Sequence, residues 1–156
     1  MGTITEKMAY PSWWYRGSRP SSDDQYFEIL CRIIFQTGLN WVIVEKKWST
    51  IKLAFCNFGI NEIASFTDRD VKRLLVNKGV IRNQYKIQAI IENAKIFRQI
   101  AKTYGSFQAY LDGFDKSNNY AKVVKALADT FERIGPTTAT LYLLIVGEDI
   151  KPKRIY

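Results

Sequence analysis

Histidine is absent from the 156-residue chain, and cysteine occurs only at Cys31 and Cys56. A structural zinc site would have to draw four good ligands from two thiols and scattered carboxylates, so it is excluded. The two cysteines stand apart on apolar helical stretches, which favours buried free thiols over a disulfide. No apolar run approaches the roughly 18 residues of a membrane span, and the polar start from Met1 to Lys7 does not read as a signal peptide. Low-complexity segments and a convincing strand pattern are also missing. The expectation is a soluble, intracellular monomer, cytoplasmic and nucleoid-associated, with no metal, no cofactor and no membrane contact, folded as one helical domain over residues 1–156.

What the chain does have is a hydrophobic fraction of 47% and an aromatic fraction of 14%, enough at this length to bury a core. Twenty-three basic residues stand against 15 acidic ones, a formal charge of +8. Such an excess draws a protein toward a polyanion, and nucleic acid is the first candidate.

Apolar spacing of three and four dominates throughout, which sets the fold class as all-α. An aromatic arm at about residues 8–20 holds Trp13, Trp14 and Tyr15, either to cap the core or to line a base-stacking pocket. Ser21 to Asp24 starts a core helix carrying Tyr26, Phe27, Ile29, Leu30, Ile33 and Ile34. Thr37-Gly38 interrupts it, and a second helix begins near Asn40 with Trp41, Val42, Val44, Glu45 and Trp48. Trp41 and Glu45 are four apart and share a face. An aromatic plate beside a carboxylate suits a flat, electron-poor heterocycle, while an exposed Glu beside a core Trp is the plainer alternative. Thr67 to Asp70 caps a further helix, a five-turn helix leads from about Lys86 to Gly105, and Phe107 to Phe114 forms a short one. Asp115 to Asn119 reads as a polar loop.

Near the end, Phe131-Glu132-Arg133-Ile134-Gly135-Pro136-Thr137-Thr138 separates two apolar helical stretches, a helix, tight turn, helix unit over about residues 121–147. Gly135 is free to take positive φ, Pro136 suits the first helical turn, and Thr137 and Thr138 are placed to bond backbone amides. Amide groups turned outward at the positive end of a helix form a phosphate site, although the same turn would serve as an ordinary corner.

Three blocks in this order resemble the helix-hairpin-helix DNA glycosylase superfamily, and within it the 3-methyladenine DNA glycosylase I family. They are Gln36-Thr37-Gly38-Leu39-Asn40-Trp41 with Lys46-Lys47, then Gly79-Val80-Ile81-Arg82-Asn83 with Lys86 to Ile91 and Asn93-Ala94, and Gly135 to Ala139. The similarity spans roughly residues 22 to 147. It implies a compact helical glycosylase fold and double-stranded DNA as partner. Trp41 would be the plate on which an extruded base stacks, and Gln36 and Leu39 the side chains inserted into the gap. Gly135, Thr137 and Thr138 would grip phosphates, with Arg82 and Lys86 as a basic second block.

Several positions depart from the family. Its zinc ligands are missing, and its base-reading glutamate falls at Ile33, which accepts no hydrogen bond. Glu45 or Glu28 would have to supply a substitute carboxylate. Lys153 stands about where the superfamily places a catalytic aspartate, with Glu148 and Asp149 a few residues earlier, and it would add to the DNA-binding surface. Thr137 stands where the lyase members carry a nucleophilic lysine, so an enzyme here is expected to be monofunctional. Leaving-group chemistry then favours cationic alkylated purines such as 3-methyladenine, which also stack best on Trp41. The rival is a DNA-binding protein that kept the clamp and lost catalysis. Glu45 facing a cavity floored by Trp41 would favour the enzyme; a solvated Glu45 with Ile33 filling that space would favour the binder.

Overall fold

The computed structural model describes residues 10–152, and Lys153 lies outside them. Among the described residues the regular structure is entirely helical. Helix α1 is Asp23–Gln36, α2 Trp41–Ala54, α3 Ile60–Ala64, α4 Asp68–Leu75, α5 Gln84–Tyr104, α6 Phe107–Asp112, α7 Ser117–Thr130 and α8 Pro136–Ile145, with a 3-10 turn at Cys56–Phe58.

Local chemistry explains most of the boundaries. Ser22 caps α1 by accepting from the Gln25 amide, Asn40 caps α2 through the Val42 amide, and Asn83 caps α5 through the Lys86 amide. Thr67 and Asp70 close a reciprocal capping box on α4. Gly105, at φ 93, ends α5 in a conformation a side chain would resist.

The two acids that open α1 also organise its neighbours. Asp24 accepts from the Ile60 amide at 3.1 Å and Asp23 from the Phe107 amide at 3.0 Å, so each carboxylate meets the first turn of another helix. Helix α5 runs through the centre and packs against α1, α3, α4 and α6. Its buried face includes Ile87, Ile90, Ala94 and Phe97, and Phe97 stacks on Phe107 at 4.5 Å. A second aromatic layer sets Phe58 flat between Trp48 (5.1 Å) and Phe55 (5.4 Å). The left-handed turn at Cys56, Asn57 and Phe58 is what turns that ring inward.

Three local expectations change. Cys31 is fully buried and free, but Cys56 is free and exposed, because the left-handed turn leaves its side chain outside. The polar stretch expected as a loop opens α7: Asn118, Asn119 and Tyr120 make a left-handed turn before the right-handed helix continues. Asn119 holds that turn with a two-way bond to the Lys151 backbone, at 2.9 and 2.7 Å. At the hairpin, Gly135 is extended (φ −95), and the left-handed residue is Arg133 (φ 61).

Candidate functional site: an aromatic cavity beside a convergent helix-turn face

The arm of residues 10–20 is pinned to the far end of α8. The Tyr15 amide donates to the Ile145 carbonyl at 2.7 Å, and Gly147, at φ 89, lets the arm backbone at Ser18 pass so closely that a Cβ there would overlap the Ser18 carbonyl oxygen. Glu148 fixes the same junction. Its carboxylate is almost fully buried, pairs with Arg19 at 3.2 Å and Lys116 at 3.0 Å, and accepts from the Tyr120 hydroxyl at 3.1 Å. Arg19 in turn makes a forked bond to Asp112, and this guanidinium holds the Asp112 carboxyl below its usual range. Glu148 is therefore committed to holding the arm.

Pinned in this way, the arm lays its tryptophans across α1 and α2. The Trp14 ring lies 6.5 Å from Trp41, and Trp13 covers the Arg32 guanidinium at 4.2 Å. Beneath the arm is a cavity of about 480 Å³ walled by Trp13, Trp14, Tyr15, Glu28, Arg32 and Lys52, among others. Four of the expected pocket residues thus meet: Trp13, Trp14, Tyr15 and Glu28. Trp41 is not part of its lining; it stands 39% exposed at the start of α2, with its ring 6.5 Å from that of Trp14. Glu28 is occupied, accepting from the Trp48 indole N–H at 3.1 Å and pairing with Lys52 at 3.2 Å. Glu45 is exposed and does not line the cavity, while Ile33 is buried in the core. The expected Trp41–Glu45 pocket is thus not formed as such: the buried row Val44, Trp48 and Ile51 turns the other side of α2 outward, and Trp41 and Glu45 share that exposed face.

The three sequence blocks converge on one face. Lys86 at the start of α5 reaches back to the end of α1, donating to the carbonyls of Phe35 at 3.1 Å and Thr37 at 2.6 Å. Farther along α5, Asn93 brackets the hairpin: its amide donates to the Glu132 carbonyl at 3.1 Å and its oxygen accepts from the Glu132 amide at 2.7 Å. The Leu39 turn, the Arg82 loop and the hairpin are thereby held by the same helix. Leu39 is 39% exposed, and Arg82, Arg133, Gly135 and Thr137 are exposed.

Two residues expected on the DNA surface have different surroundings. Gln36 is buried, so it is not free to enter a duplex. Lys86 is buried with its ammonium committed to carbonyls, and burial together with nearby Arg133 lowers its pKa. Nor does a threonine cap α8: no side chain bonds its N-terminus, and the Thr140 hydroxyl donates to the Pro136 carbonyl. The amides of Thr137 and Thr138 lie in the first turn, ahead of the first intrahelical donor at Ala139.

Arg32 joins the cavity wall without having been among the expected site residues. The signal was present: a lone charge inside Ile29-Leu30-Cys31-Arg32-Ile33-Ile34-Phe35 must be solvated by something other than water. Asn93 stands in the second sequence block, but its bracket on the hairpin depends on Glu132, 39 residues later, and has no local signal.

Comparison with known proteins adds independent findings. Residues 10–147 match the family model described as methyladenine glycosylase. The DNA-3-methyladenine glycosylase 1 of Escherichia coli K12 is 34% identical over 96 residues, 61% of this chain and 51% of that protein. The DNA-3-methyladenine glycosylase of Haemophilus influenzae is 34% identical over 97 residues, 62% and 52% of the two chains. The chain spans about half the length of these curated relatives. A crystal structure of a 3-methyladenine DNA glycosylase I superposes with a TM-score of 0.71 at 29% identity, covering 86% of this chain and 82% of that one. A Staphylococcus aureus enzyme of that name, solved to explain 3-methyladenine recognition, gives 0.72 at 23% identity over 91% and 88%, a likeness of fold.

Proposed function

The chain belongs to the methyladenine glycosylase family, and we propose that it is a monofunctional DNA N-glycosylase that flips alkylated purines, 3-methyladenine among them, out of double-stranded DNA and hydrolyses their glycosidic bonds. The observation that supports this reading best is that α5, through Lys86 and Asn93, holds both the exposed Leu39 turn that leads into Trp41 and the positive hairpin.

Each part has a physical task. Extruding a base takes a few kcal/mol, recovered by stacking and phosphate contacts. Leu39 enters the vacated space, and Trp41 with Trp14 offers the stacking surface. The first-turn amides of Thr137 and Thr138, beyond Gly135, receive a phosphate oxygen, with Arg82 and Arg133 contributing charge. Lys86 sets the wedge turn from behind. When the C1′–N bond breaks, its electron pair goes to the purine, which for an alkylated cationic base becomes a neutral leaving group. Water completes the reaction at C1′. Among the described residues the carboxylate lining the cavity, Glu28, is engaged by Trp48 and Lys52, so the rate rests on the leaving group.

The exposed Glu45 and buried Ile33 favour a second reading, a duplex-binding protein without catalysis. Incubation with duplex DNA randomly methylated at purines separates the two. Release of free 3-methyladenine supports the enzyme; salt-sensitive binding to the duplex with no base released contradicts it and selects the binder.

A further inference from the structure

Tyr85 is an aromatic side chain for which the core has no use. Tyr26, Tyr110, Tyr120 and Tyr142 are buried, whereas Tyr85, in the first turn of α5, is 75% exposed. It lines a groove of about 280 Å³ between α5 and the hairpin, together with Gln88, Ala89, Glu92, Glu132 and Arg133. The charges of this groove are unequally committed. Glu92 pairs with Lys95 at 3.2 Å along the same helix. Arg133 makes no ion pair among the described residues. Its backbone, left-handed at φ 61, follows directly on Glu132, which Asn93 fixes to α5. Its charge is close enough to the start of α5 to help lower the pKa of Lys86, the residue next to Tyr85.

A phenol and a guanidinium that line one groove offer a single hydroxyl donor and a fork of N–H donors, and a phosphodiester supplies two anionic oxygens to receive them. Side chains that serve the fold are buried or paired; these two are left in water on a strongly basic chain. The groove also continues the surface that α5 assembles. Lys86 supports the Leu39 turn and Asn93 the hairpin, so Tyr85 lies on the helix that joins them. Glu132 lines the groove as well and opposes an anion there, which limits the strength of the seat.

We propose that the groove between α5 and the hairpin seats a second backbone phosphate of the duplex, beside the one received by the Thr137 and Thr138 amides, with the Tyr85 hydroxyl donating to one of its oxygens and Arg133 to the other. This inference rests on the duplex-binding part of the reading above. The two donors divide the work. Arg133 neutralises charge and releases a counterion, so its share of the affinity falls as salt rises. Tyr85 is neutral, fixes the register of the backbone and gives affinity without changing the salt slope. The seat touches no base edge, so it is indifferent to sequence and to the lesion.

The test is duplex affinity over a series of salt concentrations for the wild type, Tyr85→Phe, Arg133→Gln and the double variant, each checked for an unchanged melting temperature. Tyr104→Phe, 55% exposed at the other end of α5, serves as control. Tyr85→Phe is expected to bind about threefold to tenfold more weakly with the slope of log affinity against log salt unchanged. Arg133→Gln is expected to lower that slope by about one. Because both donors hold one phosphate, the double variant should lose less than the product of the single losses. Wild-type affinity in Tyr85→Phe, an equal loss in Tyr104→Phe, or single losses that simply multiply would overturn the seat and leave the excision reading standing. A wild type that does not bind duplex at all is the distinct failure of the DNA reading itself, and the seat fails with it.

Discussion

The Lys86 ammonium lies 2.6 Å from the Thr37 carbonyl oxygen and 3.1 Å from that of Phe35, which makes a buried lysine of α5 the cap on the C-terminus of α1. The relationship sets the Leu39 turn against the helix that also holds the hairpin. Replacing Lys86 with Met keeps the stem and removes the donors. The expected loss is about 1–3 kcal/mol of folding stability in urea denaturation, with weaker duplex binding as the turn loosens. Unchanged stability would show that the two bonds contribute nothing net.

The Asn93 bracket gives a second prediction. Asn93 is fully buried and both ends of its amide are used by Glu132. Asn93→Asp keeps the size but sets an oxygen against the Glu132 carbonyl. The melting temperature is expected to fall by an amount equivalent to about 2 kcal/mol or more, and duplex affinity to fall with it because the hairpin loses its support. Asn93→Asp at wild-type stability would contradict the bracket.

Gly147 is the third. A Cβ at this left-handed position meets the Ser18 carbonyl, so Gly147→Ala must move the arm. Tryptophan emission is expected to shift to the red as Trp13 and Trp14 lose cover, with a stability loss of about 1–3 kcal/mol. An unchanged spectrum would mean that the arm is not held there.

The pH dependence follows from Asp112. Arg19 lowers its pKa from the ordinary value of 3.8, so the folded state binds this proton less readily than the unfolded chain. Its contribution is present above about pH 4 and is lost as pH falls through the depressed folded value. Asp112→Asn should therefore be less stable than the wild type at pH 7 and lose less on acidification. Denaturation curves at pH 7 and pH 3 check this; parallel losses in both proteins would contradict it.

Much of the fold was legible because its signals are local. Ser22, Asn40, Thr67 and Gly105 mark their helix ends by chemistry that acts within a few residues. Side-chain destinations were less legible because they depend on partners distant in sequence. Lys86 reads as a surface cation until Thr37, 49 residues earlier, is seen beside it. Glu45 shares a helix face with Trp41, yet the direction of that face is set by Val44, Trp48 and Ile51, the buried row of α2. The left-handed turns at Cys56–Phe58 and Asn118–Tyr120 have no glycine to announce them. They are imposed by where Phe58 and Tyr120 must pack.

The central claim is that an extruded alkylated base stacks on Trp41. The most direct measurement is the single-turnover rate of 3-methyladenine release from methylated duplex by the wild type, Trp41→Phe and Trp41→Ala, with duplex affinity measured alongside. Release by the wild type is expected, with most of the rate kept by Trp41→Phe and a fall of about tenfold or more in Trp41→Ala while each variant still binds duplex. A Trp41→Ala protein that releases the base at the wild-type rate would contradict the account.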